Sequence, residues 1–174
     1  NCVTECPVDY VCAPLSDTPP DITYVCLPRF DKLCQPCKVH KDCQPIWGAG
    51  TDLCIDYGAT GQFCGAECAD GVCPDGYECK VAAAPDGSNV QQCKLAVGLG
   101  MCQCTALSKY LHLTTDCLVE NDFGACTGER ACEATGLSVC DAYIPAEETC
   151  NDIDDDCDGE VDNIASKSCL VENE

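Results

Sequence analysis

Apolar residues come in short pieces along this chain. None approaches the run of about 18 that a membrane span requires. Tyr10-Val11-Cys12 and Ile22-Thr23-Tyr24-Val25-Cys26 have the β-branched and aromatic content of strands. Between them lies the turn composition Ser16-Asp17-Thr18-Pro19-Pro20-Asp21, so the pattern predicts a β-hairpin. A second hairpin is predicted around Pro85-Asp86-Gly87-Ser88-Asn89. Cys12 and Cys26 are placed symmetrically about the first turn, and Cys79 and Cys93 about the second. Each pair can face across its hairpin. Whether they bond to each other or to upstream cysteines stays open, since four cysteines allow three pairings. Helical spacing is best in Thr105–Glu120, through Leu107, Leu111 and Leu118, but Thr114 and Thr115 work against it. A short helix there is an even alternative to none.

The two predicted hairpins belong to a longer self-copy. Cys6, Pro7, Tyr10, Cys12, Cys26 and Cys37 map onto Cys73, Pro74, Tyr77, Cys79, Cys93 and Cys104 by a shift of 67 residues. Cys2 and Cys34 match Cys68 and Cys102 after one-residue adjustments. The Asp42-Cys43 pair recurs at Asp116-Cys117. This repeat divides the chain into 1–33, the second half of a Cys-rich module; 34–101, a full module; 102–145, a divergent module; and 146–174, an acidic segment. A chain that opens mid-module, on Asn1-Cys2 without a Met or a signal peptide, reads as a mature or partial product of something longer.

Composition changes the picture of stability. Val, Leu, Ile and Phe make up about a fifth of the 174 residues, near the level at which a single core fails. Against that stand 22 cysteines, enough for a disulfide scaffold in an oxidising compartment. The predicted fold class is therefore small disulfide-rich tandem modules with short β-hairpins and loops, little helix and an elongated arrangement. The formal net charge of −21 disfavours nucleic acid and anionic membrane surfaces and leaves divalent cations and basic proteins as partners.

The acidic segment carries the most specific chemistry. In Asp154-Asp155-Asp156-Cys157-Asp158-Gly159-Glu160-Val161-Asp162, carboxylates alternate ahead of a glycine that allows a sharp turn. With Gly159 at the sixth place of a calcium loop, Asp154, Asp156 and Asp158 fall at one, three and five. Glu160 offers a carbonyl at seven, and Asp162 falls at nine. Ala165 stands where an EF-hand has its bidentate Glu, so remaining ligands must come from Glu148, Asn151 or Asp152. The predicted metal residues are Glu148, Asn151, Asp154, Asp156, Asp158, Glu160 and Asp162, and the predicted ion is Ca²⁺. The competing reading is a solvated acidic tail, because residues 147–162 hold nine Asp or Glu and no Lys or Arg. Cys150 and Cys157 argue for a constrained loop instead.

Residues 121–163 also resemble the MopE-type "putative metal-binding motif" repeat of secreted and surface proteins in myxobacteria and related bacteria. The resemblance rests on Cys126-x-Gly128-x-x-x-Cys132, Cys140-Asp141-Ala142, Pro145-x-x-Glu148-x-Cys150-Asn151 and Asp154-Asp155-Asp156-Cys157-Asp158-Gly159-x-x-Asp162. Asn163 and Asp152 depart from that pattern's Glu and Gly. The Asp-rich core is similar to thrombospondin type 3 repeats, and the remaining modules look like EGF-like or knottin-like units. The resemblance implies calcium held with almost no regular secondary structure.

Other chemistries find less support. Cys34-Gln35-Pro36-Cys37 has zinc-like or redox-like spacing, with His40 and Cys43 nearby, but close Cys pairs arise from density alone. His40 among lysines reads as a surface charge, and His112 among leucines as a packed ring. No nucleophile–base motif occurs, so the chain reads as non-enzymatic. Tyr10, Tyr24, Tyr57, Tyr77, Phe63 and Trp47 read as core residues capping cystine clusters. The expectation is a secreted or cell-surface (or periplasmic) structural or adhesive protein, calcium-stabilised. Its partners would be other protein chains or further copies of its own modules, assembled into a surface appendage or filament. The alternatives are a metal-sequestering protein for copper or calcium, and an inhibitor-like module presenting the loop 46–52.

Overall fold

The computed structural model describes residues 2, 6–14, 23–45 and 50–164. Within them the chain forms four small units, and each ties four cysteines in the same crossed order, first to third and second to fourth; the fourth unit carries a fifth, Cys126, which bonds outside it. The first unit is the hairpin β1 (Tyr10–Pro14) and β2 (Tyr24–Pro28), with bridges Cys2–Cys12 and Cys6–Cys26. The second holds α1 (His40–Cys43), β3 (Cys54–Asp56) and β4 (Gln62–Cys64), with Cys37–Cys54 and Cys43–Cys64. The third is the hairpin β5 (Tyr77–Ala83) and β6 (Asn89–Leu95), with Cys68–Cys79 and Cys73–Cys93. The fourth holds α2 (Ala106–Tyr110), β7 (Thr114–Glu120), β8 (Ala125–Glu133) and β9 (Gly136–Leu137), with Cys104–Cys132 and Cys117–Cys140.

The hairpins explain the crossing. Cys12 faces Cys26, Cys54 faces Cys64, and Cys79 faces Cys93 in antiparallel register. Neither member of a facing pair bonds to the other. Both reach back to two cysteines upstream, so the incoming segment is fastened beneath each hairpin at two points. Isolated two-stranded hairpins are marginal in water. Each bridge supplies roughly 2–4 kcal/mol by restricting the unfolded chain. Two more bridges lie outside this scheme. Cys34–Cys102 closes a separation of 68 residues across the 101/102 boundary, and Cys126–Cys157 fastens the acidic segment to β8. Ten bridges among the described residues mark a protein of an oxidising compartment. Among the same residues no helix is long and apolar enough to cross a membrane.

Hydrophobic burial is correspondingly local. Three small clusters centre on Cys68 and Cys93 with Leu33, on Cys34 and Cys102 with Phe63, and on Cys37, Cys43 and Cys64. Phe63 is fully buried, and Tyr57 meets its ring edge-on at 5.8 Å between centroids. Tyr57 and Tyr77 are half-buried against the clusters. Tyr10 and Tyr24 are instead exposed, because a lone hairpin has no second layer to cover its outer face. Trp47 and most of the loop 46–52 lie outside the described residues.

Polar latches join the units. Arg29 grips Asp70 with two hydrogen bonds of 2.6 and 2.8 Å and also donates to the Glu67 carbonyl. Buried Gln92 accepts from the Leu53 amide and donates to the Thr51 carbonyl, satisfying both ends of its amide. Thr115 Oγ1 pairs with both the amide and the carbonyl of Gln62.

A short helix does form within 105–120. Only Ala106–Tyr110 is helical, capped by Thr105 accepting from the Ser108 amide at 3.1 Å. Thr114–Glu120 pairs with β8 instead, where β-branched Thr114, Thr115 and Val119 fit a pleated strand. Leu107 and Leu111 are more than half exposed, and His112 is exposed with φ of 48°, so it is not a ring packed among leucines. His40 is half-buried, and its Nδ1 accepts from the Cys54 amide at 3.1 Å. Cys34 and Cys37 bond to Cys102 and Cys54, leaving no thiol pair for redox or zinc chemistry.

Candidate metal centre

Residues 138–164 form no helix or strand. Their backbone follows from close approach to β7, β8 and the turn joining them. Gly128 lies so near the Asp141-Ala142 peptide that a Cβ would sit 2.3 Å from the Ala142 nitrogen. Gly124 lies so near the Asp156 carbonyl that a Cβ would sit 1.9 Å from its oxygen. No other residue fits either place without displacing backbone. Asn121 Nδ2 donates to the Pro145 carbonyl at 2.6 Å, and the Ala146 amide donates to the Asp155 carbonyl at 2.9 Å. Pro145 is fully buried beneath this junction. Cys126–Cys157 then pins the middle of the Asp-rich loop, where Cys157 takes φ of 62°.

The loop orders itself by turning carboxylates on its own amides. Asp154 Oδ1 and Oδ2 accept from the amides of Asp158 and Gly159 at 3.1 and 3.0 Å. Asp156 Oδ1 also accepts from the Asp158 amide, at 3.0 Å. Gly159, with φ of 95°, makes the turn its position predicts. Glu148 reaches in from outside the Asp run, and its Oε1 accepts from the amides of Asp155 and Asp156 at 2.5 and 3.2 Å.

Three predicted metal residues converge. Glu148, Asp154 and Asp156 each offer a carboxylate oxygen, and the three atoms lie within 4.8 Å of one another. Oxygens on opposite sides of a calcium ion are roughly 4.6–5.2 Å apart, twice the Ca–O distance. Glu148 Oε2 is sealed from solvent and has no hydrogen-bond partner. A buried carboxylate oxygen in that condition is costly without a cation or a donor. The donor set is all oxygen and anionic, which suits a hard divalent ion. Burial raises the Asp156 carboxyl above the ordinary carboxylate range, and the like charges of Asp158, Glu148 and Asp154 add to it.

The other predicted residues stand differently. Asp158 Oδ1 accepts from the Glu160 amide at 2.8 Å, and its Oδ2 from Asn163 Nδ2 at 2.7 Å. Asp162 closes the loop end, accepting at Oδ1 from the amides of Asn151 and Asp152 at 3.0 and 3.2 Å. Asn151 spends its side chain on Asp155 and on the Ile153 amide. Glu160 is exposed.

Asp155 is the residue the alternating pattern passed over. Its Oδ2 accepts from the Thr149 amide and hydroxyl at 3.1 and 2.9 Å and from Asn151 Nδ2 at 3.0 Å. Those side-chain hydrogen bonds hold its carboxyl below the usual range. Asp155 thus props the segment that delivers Glu148. Thr149 and Asn151, small polar residues four to six places upstream, were the available signal.

No family model, curated protein or solved structure matches this chain.

Proposed function

We propose that this chain is an extracellular, non-enzymatic structural or adhesive protein whose last described segment is stiffened by calcium. The observation that carries the reading is the sealed, unpartnered Glu148 Oε2 beside Asp154 and Asp156. A cation there would neutralise three converging carboxylates and hold the Glu148 segment against the Asp loop. The hydrogen bonds of Asp158 and Asp162 would keep the loop closed around it. Nothing in this arrangement performs bond chemistry, and its effect is mechanical. The disulfides, the secretory setting they require and the acidic surface all favour a component of a surface structure or secreted assembly that works by contact with other chains. Sequestration of copper by thiolates is disfavoured, since the described cysteines are consumed in disulfides.

The test is a calcium titration of the oxidised protein, read by calorimetry, beside Glu148→Gln. The native chain should bind one calcium at roughly 10⁻⁴–10⁻³ M, as extracellular modules do. Gln keeps the shape and an acceptor oxygen for Asp155 and Asp156, so the variant should remain folded and lose at least about tenfold in affinity. Equal binding by both proteins, or none by the native chain, would remove the reading.

A further inference from the structure

Around the acidic loop the chain exposes apolar side chains that its own fold leaves uncovered. Tyr143 is 81% exposed, Ile144 76%, and Phe123, Ile153 and Val161 between 54% and 55%. The short segments that carry them are tied to one another by hydrogen bonds. The Asn121–Pro145 hydrogen bond joins the Phe123 turn to the Tyr143-Ile144 segment. The Ala146–Asp155 bond joins that segment to the Ile153 loop, and Asp162 joins Val161 to Asn151 and Asp152. Apolar residues scattered singly over a surface need no explanation, but a group set among polar residues marks an interaction site. These five are held on backbone fastened by Cys126–Cys157 and Cys117–Cys140.

Charge selects the occupant. From Ala131 to Asn163 there is no Lys or Arg, and residues 147–162 alone carry nine carboxylates. One divalent cation would cancel two of those charges and leave the sign unchanged. A second copy of this face, or an anionic lipid surface, would meet strong like-charge repulsion. We infer that the linked segments exposing Phe123, Tyr143, Ile144, Ile153 and Val161 are a docking surface for a basic protein segment, one whose apolar side chains cover these five while its Lys or Arg residues face the Asp loop. This goes beyond the calcium reading and does not require the ion.

The probes are two synthetic peptides of equal charge, one alternating Lys with Leu and one alternating Lys with Ser. Each is titrated with the intact oxidised protein at physiological salt, in calcium and in EDTA. The native chain should prefer the Lys/Leu peptide by at least about tenfold, the worth of one well-covered apolar side chain. The variant Phe123→Ser/Tyr143→Ser/Ile144→Ser should lose that preference and keep its affinity for the Lys/Ser peptide. Tyr143→Ser alone changes the most exposed of the three and should lose part of the preference. Absence of a preference, or its survival in the triple variant, would overturn the proposal. So would self-association in sedimentation that the triple variant abolishes, or binding to phosphatidylglycerol vesicles.

Discussion

Calcium should slow hydrogen exchange at particular amides and leave others untouched. Four amides donate to the converging carboxylates: Asp155 and Asp156 to Glu148, and Asp158 and Gly159 to Asp154. They exchange only when those carboxylates let go, which is a local opening. An ion that binds the closed loop alone stabilises it by RT ln(1 + [Ca²⁺]/Kd). At about 10 mM calcium and a Kd of roughly 10⁻⁴–10⁻³ M, that is about 1.4–2.7 kcal/mol. Exchange at the four amides should therefore slow by roughly 10–100-fold relative to EDTA. The Cys93 amide, which donates to the Ala66 carbonyl at 2.7 Å in a different unit, should not change. Backbone-resolved exchange by NMR or fragmentation mass spectrometry reads both. Equal rates in calcium and EDTA at the four amides would refute the reasoning. Uniform slowing that includes Cys93 would refute it too, since that indicates global tightening. Glu148→Gln, with affinity at least about tenfold weaker, should cut the slowing at all four to no more than about 2–10-fold.

Two further outcomes follow from the same structure. Asp155→Ala removes the prop under Thr149 and Asn151 without touching a converging oxygen, so calcium affinity should fall about tenfold while stoichiometry holds, as calorimetry would show; unchanged affinity would mean Asp155 does not position Glu148. Asp52 is raised to about 6 from 3.8, first by burial and then by the like charges of Glu67 and Asp31, against the pull of Lys32 and the hydrogen bond from the Glu67 amide. The folded state therefore binds this proton more tightly than the unfolded chain, and stability from this group is gained as pH falls from about 6 towards 3.8 and is missing above 6. Asp52→Asn should be more stable than the native chain near pH 7.5 by about 1–1.5 kcal/mol, the full shift being halved for the solvent screening that persists so close to the surface of a small unit. The gap should narrow to about a third near pH 4.5, where the unfolded carboxyl is still partly ionised. Urea unfolding in EDTA at both pH values checks this, and an Asn variant less stable near pH 7.5 would contradict it.

The hairpins were legible because strand content and turn composition are local properties. Tyr10–Pro14 opposite Tyr24–Pro28, and Tyr77–Ala83 opposite Asn89–Leu95, need no knowledge of the rest of the chain. That Cys12 faces Cys26, and Cys79 faces Cys93, was legible for the same reason. Their pairing was not, because every cysteine carries the same chemistry and only three-dimensional proximity chooses among partners. After Thr105 the sequence left a short helix undecided, and one forms at Ala106–Tyr110. Leu107 and Leu111 have helical spacing but no partner layer to pack against, so tertiary pairing with β8 decided the state of 114–120. In the acidic loop, alternation marked Asp154 and Asp156, whose carboxylates converge, and nearness suggested Glu148, which joins them. It also promoted Asp158, Asp162 and Asn151, whose side chains close and brace the loop, because spacing does not say whether a carboxylate faces an ion or a backbone amide.

That last ambiguity explains how the loop holds its shape. A segment without helix or strand must still satisfy its amides. Here carboxylates take the place of carbonyl acceptors: Asp154 for Asp158 and Gly159, Asp158 for Glu160, Asp162 for Asn151 and Asp152, and Glu148 for Asp155 and Asp156. Charged acceptors make stronger hydrogen bonds than carbonyls, so the backbone is well held. The cost is electrostatic, since each bond adds an anion to a space already crowded with them; the Asp156 carboxyl, raised first by burial, is raised further by those neighbours. Cys126–Cys157 keeps the crowded loop from springing open but does nothing for its charge. The backbone solution and the charge problem therefore have one source, and a single oxygen-loving cation beside Glu148 Oε2 would relieve the second without disturbing the first.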